Sequence, residues 1–152
     1  MESFEIFAEM SIAMLGFSGL MVAMSNATSI IVARVKGLLF SASIAAICSV
    51  IPLTGLSIVY CSFVYIGLIG YMTVWSYGNF FRNPAANASK AIYFSLNAAL
   101  LSTMVVLSYS IFLQQSILYH AYLYSICVIL FCSGTYFVRM VLFIAAEKER
   151  ST

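Results

Sequence analysis

The sequence predicts an all-α fold, a polytopic transmembrane helical bundle of five spans, and three observations carry that expectation. Hydrophobic residues make up 63% of the chain and charged residues 8%, where a soluble domain carries roughly 25% charge. The apolar runs have the lengths a bilayer demands, about 20 residues for each helical crossing. The seven Lys and Arg fall only at alternate breaks between those runs. Because 152 residues are almost consumed by five crossings, residues 1–152 read as a single transmembrane domain with no separate catalytic unit.

The first span lies near residues 5–26, over "FEIFAEMSIAMLGFSGLMVAM". The preceding "MESFEIFAE" is acidic where the basic region of a signal peptide belongs, so this segment is expected to remain in the protein. From Gly37 to Tyr77 no residue is charged. As one helix at about 1.5 Å per residue this run would reach roughly 60 Å, twice the hydrocarbon thickness. It must fold back, and the break signals are Pro52, Thr54 and Gly55 in "IPLTGL", giving spans near 37–53 and 56–78. The run after Lys90 is divided at its most polar interior point, "LQQS" at Leu113 to Ser116, into spans near 90–113 and 117–138. Helix is expected to continue past Arg139 into a cytoplasmic tail, 139–152.

Orientation follows from charge. Arg34 and Lys36 follow span one, Arg82 and Lys90 bracket the loop after span three, and Arg139, Lys148 and Arg150 follow span five. All seven then share one side, which by the positive-inside rule gives an N-out, C-in topology. The alternative is four spans, with the first segment lying in the interface or the second and third fused as a re-entrant element; it splits the charge pattern. Trp75 and Tyr77 at the end of span three, and Tyr119, Tyr122 and Tyr124 at the start of span five, sit where interfacial aromatics belong. Cys48, Cys61, Cys127 and Cys132 all lie in apolar runs without a CxxC pair, so buried structural thiols are expected rather than metal ligands.

Chemistry in such a chain has few carriers. "GFSG" at Gly16 to Gly19 matches the GxSG of rhomboid proteases, and His120 is the single histidine. Ser18, however, lies roughly 20 Å below the outer end of span one and His120 about 5 Å into span five, whereas a Ser/His dyad needs hydrogen-bond contact. The chain contains no Asp, which removes GxGD-type aspartyl chemistry. No catalytic residue, metal site or cofactor is expected, and the chain reads as a non-enzyme.

Span one carries the informative residues. Glu2, Glu5, Glu9, Ala13, Gly16 and Ala23 fall on one flank at 100° per residue, and Gly19, Ala23 and Ala27 form a small-xxx-small series at which another helix can approach closely. Ionisable groups in a span are costly and usually face protein or water, so the acids are expected to face whatever span one packs against. The plain reading is a Glu9 that is protonated or hydrogen-bonded to a neighbouring helix. The functional reading is a pore or outer vestibule built from Glu9, Glu5, His120 and Gln114. Asn97, with Ser95, Ser102 and Thr103, is expected to supply interhelical hydrogen bonds. On the inner side, Arg34, Lys36, Arg82 and Lys90 satisfy the topology rule and, multiplied in an oligomer, present a positive ring for lipid headgroups or an anionic nucleotide or oligonucleotide.

The order of "AEMSIAMLGFSGL", a short basic loop, a Pro-containing second span and a last span ending "FVRMVLF" resembles a group of small uncharacterised bacterial multi-pass proteins. In architecture the chain is also similar to the transmembrane effectors of bacterial anti-phage systems. That resemblance implies an inner-membrane protein that self-assembles and disrupts or depolarises the membrane when a cytoplasmic nucleotide signal changes. Residues and resemblance together lead to the expectation of a homo-oligomeric ion channel or pore-forming effector, taken as a tetramer. The alternative is a non-conducting structural or regulatory subunit docked on a partner membrane protein.

Overall fold

The computed structural model describes residues 2–24, 29–82, 90–113 and 115–151. These form five helices, α1 (Glu2–Met24), α2 (Ser29–Val50), α3 (Ile58–Arg82), α4 (Lys90–Leu113) and α5 (Leu118–Ser151). Each is long and apolar enough to cross a membrane, and there is no strand among the described residues. The chain is therefore an integral membrane protein with five candidate spans.

Both predicted reversals occur where the punctuating residues put them. Between α2 and α3 a single 3₁₀ turn, Ile51–Thr54, has Pro52 in its first positions and ends at Gly55, whose φ of 83° is left-handed. Glycine adopts that conformation without a Cβ clash, and its N–H donates to the Pro52 carbonyl at 3.2 Å. Between α4 and α5 the helix gives way to a second short turn, Gln115–Ile117.

Side-chain pairs fix the helix directions. Phe4 stacks edge-on with Tyr119 and Tyr122 at 5.7 and 5.9 Å, and Phe17 meets Phe137 at 6.4 Å, so α1 runs parallel to α5. Ser133 donates to Ser41 at 2.8 Å and Tyr122 to the Cys48 carbonyl at 2.7 Å, which sets α2 antiparallel to α5. Ser76 with Tyr93 at 2.9 Å and Tyr65 with Thr103 at 3.1 Å do the same for α3 and α4. The helices thus alternate up and down. Glu2, Glu5, Glu9 and both tight turns occupy one end, while the backbone positions of all seven Lys and Arg fall at the other, with Glu147 and Glu149.

Helix α5 is the hub. It packs on all four other helices, and α1–α2, α2–α3 and α3–α4 are neighbours in turn, whereas among the described residues α1 touches neither α3 nor α4. The arc of four helices is therefore open between α1 and α4, and α5 lines the opening. Its exposed side there carries His120, Tyr124, Cys127, Phe131, Val138 and Leu142, the stripe produced by three- and four-residue steps.

The core is apolar, and among the described buried hydroxyls that of Thr73 alone lacks a hydrogen-bond partner. Tyr65, Tyr122, Leu38, Ile69, Leu107 and Ile126 are completely enclosed. The Tyr65 hydroxyl, paired with Thr103, also donates to the Ser125 carbonyl at 2.9 Å and so ties α3, α4 and α5 together. Most buried serines return their proton to a carbonyl three or four residues back, as Ser11 does to Phe7 and Ser49 to Ala45, which satisfies a hydroxyl where water is absent.

Four expectations change. The second helix begins at Ser29 rather than near 37, so Arg34 and Lys36 sit on its first turns and not in a loop. Tyr122 is not an interfacial aromatic: it is buried on the Cys48 carbonyl, whereas Tyr119 and Tyr124 are exposed as expected. Of the four α4 residues expected to bond between helices, Thr103 alone does so; Asn97, Ser95 and Ser102 bond carbonyls of their own helix. Cys48, Cys61 and Cys132 are buried free thiols, but Cys127 is exposed.

Candidate functional site

Helix α1 meets its own chain along Phe4, Ala8, Ser11 and Ser18, all buried. These recur at steps of four, three and seven residues and so form one face. Glu2, Glu5 and Glu9 are exposed, as are Ala13, Gly16 and Gly19. Their flank is centred roughly a third of a turn from the buried face at 100° per residue. The expectation that the acids face the surface on which α1 packs thus fails for packing within the chain. The acidic flank points outward, and no ion pair or hydrogen bond among the described residues engages Glu5 or Glu9.

The glycines sharpen that picture. A Cβ added at Gly16 or Gly19 would meet nothing within 4 Å, whereas at Gly37 it would touch the Tyr136 ring and at Gly134 the end of Met14, each at 3.7 Å. Gly16 and Gly19 therefore serve no close approach inside the protomer. In lipid, small residues on an outer helix face allow a second backbone near. The flank combines that smoothness with carboxylates about 10 Å apart along the axis, Glu2 to Glu9.

The remaining candidates are dispersed. His120 stacks edge-on with Tyr119 at 5.7 Å and lies on the open side of α5, level with Phe4. Since Glu5 and Glu9 are on the far flank of α1, the protomer does not assemble Glu9 and His120 into one cluster. Gln114 and Ala27 lie outside the described residues, as do the side chains of Ala23, Arg34, Arg82 and Lys90. Lys36 is exposed near the start of α2. Ser18 is buried and donates to the Leu15 carbonyl at 2.7 Å, next to the Phe17–Phe137 contact and so at the opposite end of the bundle from His120. No His, Cys, Asp and Glu group among the described residues is arranged to hold a metal ion.

No family model, curated protein or solved structure matches this chain. Function must therefore be argued from the geometry alone.

One surface feature had no signal in the sequence. On its other side α1 forms a groove with α5, a cavity of about 610 Å³ walled by Phe7, Met10 and Met14 on one helix and by Cys127, Phe131 and Val138 on the other. Its existence depends on α1 and α5 being parallel neighbours, a tertiary fact that span-by-span hydropathy does not contain.

Proposed function

We propose that this chain is an inner-membrane protein that assembles with copies of itself across the acidic flank of α1 and encloses an ion-conducting path, with Glu9 near its outer mouth. The observation that carries this reading is the outward display of Glu5 and Glu9 beside Gly16 and Gly19, with no partner for the acids among the described residues. An ionised carboxylate facing hydrocarbon is costly, up to about 3 kcal/mol at mid-span, and a water-lined oligomer axis removes that cost. The protomer core is filled by enclosed side chains such as Tyr65, Tyr122 and Leu107, so conduction through a single copy is not part of the proposal.

The gathering of Lys and Arg positions at one end supports an N-out, C-in orientation. The same end supplies positive charge for a cytoplasmic anion such as a nucleotide or oligonucleotide, which is how a defence effector of this architecture would be gated. Reconstitution tests the reading. In vesicles the purified protein is expected to carry a cation flux, and Glu9→Gln is expected to reduce it severalfold. Silent vesicles together with a monomeric mass would overturn the channel; silent vesicles with a stoichiometric partner protein on purification would instead identify a docked subunit.

A further inference from the structure

The groove between α1 and α5 has a chemistry of its own. Among its described lining residues Arg139 is the one charged group, and the walls are otherwise apolar, chiefly Phe7, Met10, Met14, Phe131 and Val138. Thr135 adds no polar edge, because its hydroxyl bonds the Phe131 carbonyl at 2.9 Å. The stretch of α5 along the groove, Cys127 to Arg139, measures about 18 Å at 1.5 Å per residue, close to the roughly 15 Å of one leaflet's hydrocarbon. Arg139 stands three residues before the end of the apolar window Leu118–Leu142, at a depth from which a long cationic side chain reaches the headgroup layer.

From this combination we propose that the groove is a binding site for one anionic glycerophospholipid, with an acyl chain laid between α1 and α5 and its phosphate on the Arg139 guanidinium. Length, apolar walls and a single terminal cation match that molecule part by part. A second protein helix would place no matching anion at Arg139 except by a carboxylate of its own, whereas every anionic lipid in that leaflet brings one at the right depth. Basic pockets between helices on the cytoplasmic side bind acidic headgroups for the same reason. The site lies on the side of α1 away from the acidic flank, so it does not depend on the oligomer proposed above.

Native mass spectrometry on the full-length protein, delipidated in neutral detergent and mixed with dioleoyl-phosphatidylglycerol or dioleoyl-phosphatidylcholine, tests this. The wild type is expected to retain one phosphatidylglycerol per subunit in preference to phosphatidylcholine by about fivefold, the factor equivalent to one cation beside an acidic headgroup. Arg139→Gln should remove the preference while leaving residual binding of both lipids, and Arg139→Lys should restore part of it. Met10→Trp, which fills the groove from an exposed position without touching the core, should weaken both lipids together. Equal retention of the two lipids by the wild type, or an undiminished preference in Arg139→Gln, would overturn the proposal. So would an intersubunit disulfide formed through Cys127 in oxidised membranes, which would show a second copy in the groove.

Discussion

Replacing Gly16 and Gly19 together by leucine separates folding of the protomer from assembly. Both glycines are exposed, and a Cβ added at either meets nothing within 4 Å, so a leucine has open space to enter. In a helix interior each glycine also costs about 0.5–1 kcal/mol relative to alanine, and leucine forms helix nearly as well. Gly16→Leu with Gly19→Leu is therefore expected to leave the protomer as stable as wild type or up to about 2 kcal/mol more stable. A matched control is Ala45→Leu, at a position with no exposed surface, where overpacking costs about 1–3 kcal/mol. The same two leucines should push apart any helix that approaches the flank. Stability would be read by circular dichroism during SDS-induced unfolding, at a dilution where the wild type is monomeric. Assembly would be read as the protein mass in mild detergent by multi-angle light scattering. The double variant should unfold no earlier than wild type yet collapse to the 16.7 kDa protomer. An unfolding midpoint lowered as far as that of Ala45→Leu would show that the flank is packed within the chain, and an unchanged oligomer mass would remove it from the interface.

Two further outcomes test the fold. Tyr65→Phe loses bonds to Thr103 and to the Ser125 carbonyl; at about 0.6 kcal/mol for each interhelical bond in a membrane, the loss should be near 1 kcal/mol by the same SDS titration, and no change would mean the three-helix tie is not formed. Gly55→Ala forces a Cβ into the left-handed region at φ 83° and should cost about 1–2 kcal/mol; a neutral result would argue against the tight turn between α2 and α3.

The parts of this fold that were legible in the sequence are those decided by local chemistry. Pro52 and Gly55 cannot continue a helix together, and two adjacent glutamines interrupt an apolar run, so both turns were visible as breaks. The start of α2 was not, because hydropathy marks where lipid begins, whereas the helix extends from Ser29 through Arg34 and Lys36. Tyr122 misled for a related reason. A tyrosine near a span end is as compatible with the interface as with a buried carbonyl, and only the proximity of α2 decides for Cys48. For the candidate site, the flank shared by Glu5, Glu9 and Gly16 followed from helical periodicity, but its direction did not. Which side of α1 is covered depends on α2 and α5, and they cover Phe4, Ala8 and Ser18. The lipid-sized groove was equally hidden, since its two walls are more than a hundred residues apart in the chain.

Disulfide trapping in native membranes probes the central claim, contact between copies across the acidic flank of α1. With the four native cysteines replaced by alanine, Glu9→Cys and Gly16→Cys should each yield a crosslinked dimer under mild oxidation, while Val105→Cys on the exposed side of α4 should not. Crosslinking at Val105 with none at positions 9 and 16 would contradict the account.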